Sequence, residues 1–225
     1  MKYLRNFLQA FRRPIIWGRI STTPISNDFG LSRGTPIDRY YIESFLQKNE
    51  TDIKGTALEI AENTYTRKFD HGVTSFEVLH VDTSNRMATV IGDLTQPNTL
   101  PEKMVDCFIC TQTLNFIYDA RKAIEGCFRV LKDGGVFLGT VSGISQISRY
   151  DMDRWGDYWR FTDLSLKKLF SESFREGNIT IQTFGNVFAA NAFLQGLALE
   201  DIEDKSLLDV NDPDYQVTLG IRAVR

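Results

Sequence analysis

Apolar residues recur along this chain in two rhythms. The runs TALEIA (56–61), VTSFEVL (73–79), ATVIGDL (88–94), VDCFICTQ (105–112) and VFLGTV (136–141) are short, rich in β-branched and other apolar residues and bounded by turn formers, which predicts five strands. Around them the spacing is helical. Ile37, Tyr40, Tyr41 and Phe45 predict a helix over 36–48 with Pro36 in its first turn, and 65–69 predicts a short one. Another is expected over 119–131, closed by Asp133-Gly134-Gly135. Strands alternating with such crossovers imply a parallel sheet covered on both faces. The end of the chain departs from the alternation: a helix over 164–174, then NITIQTFGN, an apolar FAANAFLQGLAL and finally YQVTLGIRAV. A closing strand with no helix after it is expected to insert antiparallel beside its predecessor.

Length and composition narrow the class. A chain of 225 residues suits one α/β domain with decoration, and 42% apolar with 24% charged residues describes an ordinary soluble protein. The net charge of -3 disfavours a basic nucleic-acid groove. Three cysteines, Cys107, Cys110 and Cys127, without an export signal argue against a disulfide framework, so a cytoplasmic location is expected. Cys107 and Cys110 form a CxxC, but residues i and i+3 of a strand face opposite sides and no histidine cluster completes a zinc site, so no metal is expected.

Charge is uneven along the chain. The first 27 residues carry Lys2, Arg5, Arg12, Arg13 and Arg19 with no acid, and Leu4, Phe7, Leu8 and Phe11 share one helical face before Pro14. That pattern fits a leading helix packed on the domain or on a partner, with a peripheral membrane contact as the alternative.

Several segments together resemble the class I S-adenosylmethionine-dependent methyltransferases over 55–225: a strand, turn and acid in ALEIAEN, an acid associated with the second strand, GDL after the third, and FRVLKDGGVFLGTV before and through the fifth. RGTPIDRYYIESFL with GISQISRYDMDRWGDYWRFT is similar to a bacterial methyltransferase group associated with glycosyl transfer and surface-polysaccharide synthesis. The resemblance implies a Rossmann-like α/β fold, a seven-stranded mostly parallel sheet with the last strand antiparallel and helices on both faces. Residues 1–54 then form a helical extension and loop.

It also implies a cofactor, S-adenosylmethionine, whose adenine, ribose diol, sulfonium and amino-acid end need acceptors and apolar walls more than a phosphate cradle. Glu77 is the expected acceptor for the ribose hydroxyls, with Asp82 as its rival. Asp93 and Leu94 fall at the adenine position, and Thr111 and Gln112 at the methionine end. The family's glycine-rich turn aligns with Glu59, Ala61, Asn63 and Tyr65, so the acid is kept and the three glycines are replaced; Glu59, Ala61, Glu62 and backbone amides remain to serve the cofactor.

The segment 149–162 gathers aromatics, arginines and the carboxylates Asp151 and Asp157. Aromatic faces suit sugar rings, and with Phe116 where relatives often have histidine, Asp157 or Asp151 is the candidate general base; Asp157 holding Arg160 in a closed lid is the competing role. The expected activity is O-methylation of a sugar or other small acceptor. A catalytically silent relative docking on a glycosyltransferase through the basic N-terminus is the alternative. A nicotinamide-dependent reductase is disfavoured by the missing glycine turn.

Overall fold

The computed structural model describes residues 22–225. The amphipathic run ending at Pro14 lies outside the described residues. Seven strands, β1 (Gly55–Ile60), β2 (Val73–His80), β3 (Val90–Ile91), β4 (Val105–Thr111), β5 (Leu131–Ser142), β6 (Ile179–Phe184) and β7 (Thr218–Val224), form one sheet. Its order is β3-β2-β1-β4-β5-β7-β6. The pairings from β3 to β5 are parallel, whereas β7 runs antiparallel to both β5 and β6. The expected mostly parallel sheet with an antiparallel last strand is therefore observed.

Alternation along the strands divides the core between two faces. Leu58, Phe108 and Phe137 pack with Ala123, Ile124 and Cys127 of α3 (Ala120–Val130) and with Leu166 and Phe170 of α5 (Asp163–Phe170). On the other face Ala57, Cys107, Ile109 and Leu138 meet Ile42, Phe45 and Leu46 of α1 (Ile37–Lys48) and Tyr65 of α2 (Thr64–Lys68). Cys107 and Cys110 accordingly lie on opposite faces, as their spacing requires. A third cluster joins Ile37 and Tyr41 to Ala189, Ala192 and Phe193 of α6 (Val187–Leu194).

Two elements differ from the sequence expectation. The third strand shortens to Val90–Ile91 because it pairs at the sheet edge with β2 alone. Asp133-Gly134-Gly135 does not close a helix: β5 starts at Leu131, and the register slips between Val105 and Cys107 so that these residues form an irregularity within the strand. The segment after β5 contains one helical turn, α4 (Arg149–Met152), capped by the Ser148 hydroxyl.

Candidate active site

The carboxyl ends of β1, β2, β3 and β4 surround a cavity of about 590 Å³, within the roughly 300–1,000 Å³ usual for small-molecule sites. Ile60 and Ala61 come from β1 and the residue after it, and Leu79, His80 and Val81 from the end of β2. Residues 92–95 follow β3, and Gln112, Thr113 and 116–119 follow β4. Asp151, Trp155 and Tyr158 close it from the segment beyond β5. Among these lining residues there is no lysine or arginine, while Asp93, Asp119 and Asp151 contribute carboxylates. A diphosphate has no countercharge here; a cationic or zwitterionic ligand with a flat apolar group does.

The loop after β1 makes a specific backbone demand at Ala61. Ala61 has φ +65°, the left-handed region where a Cβ costs about 1–2 kcal/mol. Its N–H donates to the Leu79 carbonyl at 2.9 Å, and its own carbonyl accepts from Asn85 Nδ2 at 2.6 Å, so both neighbours hold the strained residue in place. Asn63 and Tyr65 carry no such demand. Asn63 sits at φ -129°, and Tyr65 is helical and buried, its ring against Phe69 at 6.4 Å.

Glu59 turns away from the cavity and anchors this loop. Its carboxylate accepts from the Tyr65 and Thr66 amides at 3.1 and 2.7 Å and from the Thr66 hydroxyl at 2.7 Å, tying β1 to the start of α2. Burial raises its pKa, the bonds from Thr66 and Tyr65 working in the opposite direction.

The predicted residues thus separate. Ala61, Asp93, Leu94, Gln112 and Asp151 line the large cavity. Glu62 is exposed and bonded to the Thr64 hydroxyl, and Thr111 ends β4 without reaching the lining. Glu77 also lies short of it. Its carboxylate is held by the Ser75 and Thr89 hydroxyls, each at 2.6 Å, and those bonds lower its pKa against a smaller effect of burial. Asp82 follows the lining residue Val81, with Oδ1 3.2 Å from His80 Nδ1 and accepting from the Ser84 amide. Neither carboxylate is a lining residue; Asp82 directly follows one, and Glu77 stands two residues before the first of them, Leu79.

The Asp157 carboxylate is fully engaged. Arg160 grips both carboxylate oxygens and the Ser148 amide donates to one of them at 3.0 Å. Burial acts to raise its pKa, but Arg160 and Ser148 outweigh it and hold the carboxyl below its ordinary value. A carboxylate so engaged is a poor proton acceptor; its role is to fold the segment back on itself.

Two further residues shape the site, Asn115 and His80. The Asn115 side chain donates to the Trp159 carbonyl and accepts from the Ser142 amide, while its carbonyl accepts from the Tyr158 and Trp159 amides. It holds the aromatic segment over the ends of β4 and β5. His80 lines the cavity and meets the edge of Trp155 with centroids 6.0 Å apart.

The strand order, the cavity at the carboxyl ends and the antiparallel seventh strand define a Rossmann-like methyltransferase fold. Residues 46–139 match the family model described as a methyltransferase domain. Among solved structures, a SAM-dependent methyltransferase from Archaeoglobus fulgidus is similar with a TM-score of 0.53 at 14% identity, covering 83% of this chain and 94% of that one. An S-adenosylmethionine-dependent methyltransferase from Mesorhizobium loti gives 0.54 at 14% identity, covering 87% and 100%. The N-methyltransferase NodS from Bradyrhizobium japonicum, solved with S-adenosyl-L-homocysteine, gives 0.50 at 15% identity, covering 90% and 94%. No curated protein sequence matches the chain. Among the described residues no helix is long and apolar enough to cross a membrane.

Proposed function

We propose that the protein is an S-adenosylmethionine-dependent methyltransferase acting on an oxygen of a small, hydroxylated acceptor such as a sugar. The observation that carries this reading is the cavity at the carboxyl ends of β1 to β4, lined by Asp93, Asp119 and Asp151 among apolar residues and by no lysine or arginine. Asp93 and Leu94 would take the adenine side, His80 to Asp82 the ribose, and Ala61 with Gln112 the amino-acid end. When bound, the cofactor would supply an electrophilic methyl group. The chain's own contribution is orientation and exclusion of water, through the loop anchored by Glu59 and the segment held by Asn115 and by the Asp157–Arg160 pair.

A sugar acceptor is supported by aromatic faces at the cavity mouth. Tyr118 stands 5.4 Å from Tyr158 and 6.2 Å from Trp159, and Tyr118, Tyr158 and Trp155 remain substantially exposed. Calorimetry with S-adenosylmethionine, S-adenosylhomocysteine and NAD tests the reading. Binding of the first two without NAD is expected; NAD binding alone would replace it with a reductase, and binding of none would leave a silent module.

A further inference from the structure

A second cavity of about 170 Å³ adjoins the first and shares Gln112, Phe116 and Asp151 with it. Asp38, in the first turn of α1, lines it together with Ser142 and Arg160. Two observations point to an occupant. Gln112 Oε1 accepts from the Ser142 hydroxyl at 2.8 Å, yet its Nε2 is buried without a partner among the described residues. A buried amide nitrogen in that state calls for an acceptor oxygen, and Gln112 is a lining residue of both cavities. Gln112 is also held at φ +48°, a left-handed conformation fixed by its N–H to the Thr140 carbonyl at 2.7 Å.

The second observation is Asp38. Its carboxylate has backbone partners only, the amides of Asp38 and Arg39, and no side-chain partner among the described residues. The other acids of this cavity are engaged, Asp151 with the Ser148 hydroxyl at 2.5 Å and Asp157 with Arg160. Burial pushes the Asp38 carboxyl up to about 6, with the Arg39 amide and the Arg39 charge on its own helix opposing. Asp151, Asp157 and Arg160 line the same cavity, while Tyr65 of α2 lies near enough to feel the charge of Asp38.

We propose that this small cavity binds the neutral, hydroxyl-bearing acceptor, Gln112 Nε2 donating to an acceptor oxygen and Asp38 taking the proton of the hydroxyl that is methylated. The proposal rests on the methyltransferase reading above. Asp157 and Arg160 cancel, so Asp38 and Asp151 leave the cavity negative and a carboxylate or phosphate acceptor is repelled. As the acceptor's O–H bond breaks, its proton passes to Asp38 and the freed electron pair forms the new O–C bond. The pair of the breaking S–C bond stays on the donor sulfur, so one positive and one negative charge disappear together.

The test begins without cofactor. In protein carrying ¹³C-carboxyl aspartate, the resonance lost in Asp38→Asn is expected to titrate near pH 6 and to move when methyl β-glucoside, myo-inositol or catechol is added. Gln112→Ala should abolish that response. With labelled S-adenosylmethionine and whichever probe responds, Asp38→Asn should lower kcat by about 10²- to 10⁴-fold and flatten its rise through pH 6, leaving S-adenosylhomocysteine affinity within about twofold. No response to any neutral probe, a response confined to glucuronate or glucose phosphate, or full turnover by Asp38→Asn would overturn the proposal. Failure of S-adenosylhomocysteine to bind the wild-type protein strikes the methyltransferase reading instead, because the titration needs no cofactor.

Discussion

Arg160 holds Asp157 in a fork, Nη1 to Oδ1 at 2.6 Å and Nη2 to Oδ2 at 2.9 Å, and its Nη2 also reaches the Gln146 carbonyl at 2.5 Å. Three residues apart in sequence, the pair closes the segment beyond β5 into a compact loop over both cavities. The Asp157 side chain is 1% exposed, so the contact is worth more than a surface ion pair. Asp157→Asn is expected to cost roughly 1–3 kcal/mol. Because the folded pKa is depressed, the stabilisation is present above the ordinary aspartate range and is lost as pH falls through the folded value. Thermal denaturation should show the variant weaker at pH 7 and close to wild type at pH 2; an equal deficit at both would show that the charge is irrelevant.

Ala61 yields a prediction of the opposite sign. At φ +65° the methyl group is strained, and glycine removes that strain while adding about 0.5–1 kcal/mol of chain entropy to the unfolded state. Ala61→Gly is therefore expected to be neutral to about 1 kcal/mol stabilising, with S-adenosylhomocysteine binding equal or tighter. Ala61→Val should lose both stability and binding. Chemical denaturation and calorimetry on the two variants decide it, and a valine variant that binds normally would remove this loop from the cofactor site.

The choice between the acids of β2 is also open to measurement. Asp82→Ala is expected to weaken S-adenosylhomocysteine about 10- to 100-fold through loss of charged hydrogen bonds. Glu77→Ala should leave affinity nearly unchanged and lower stability, since the Ser75 and Thr89 hydroxyls lose their common partner. A larger affinity loss at Glu77 would reverse the assignment.

Gly126 supplies a fourth test, remote from the cavity. A Cβ there would lie 2.1 Å from the Leu94 carbonyl oxygen, so the glycine lets α3 press directly on the backbone that carries Asp93 and Leu94. Gly126→Ala should push that backbone outward, costing roughly 1–3 kcal/mol and weakening S-adenosylhomocysteine. Unchanged melting temperature and affinity would mean that the loop yields without consequence.

The strand and helix order was legible because burial on both faces leaves continuous apolar runs, as in VDCFICT, and because Pro36 and Thr162 mark helix starts by their own chemistry. Positions at the cavity were legible where they immediately follow a strand, as Ala61, Asp93 and Gln112 do. Glu77 and Asp82 were not separable in the sequence because both lie within a few residues of the end of VTSFEVL, and only the structure shows that Leu79, His80 and Val81 are the part of the β2 end that lines the cavity. Asp38 gave no signal. An acid in the first turn of a helix is ordinary dipole chemistry, and only the cavity opposite it makes the residue notable.

The insertion of β7 between β5 and β6 has a consequence for how the molecule assembles. Residues 179–184 pair only with residues 218–223, so β6 has no sheet to join until the later strand has been synthesised and threaded into place. β5 must likewise keep one edge open over the intervening 75 residues between Ser142 and Thr218. Early on the ribosome the exposed edge of β5 is a template for mispairing with another nascent copy, and the sheet closes only late, through its most sequence-distant contacts. Refolding of this protein is thus expected to be limited by capture of a single seven-residue strand, and a peptide copying residues 218–224 should compete for the gap during refolding and leave the finished fold untouched.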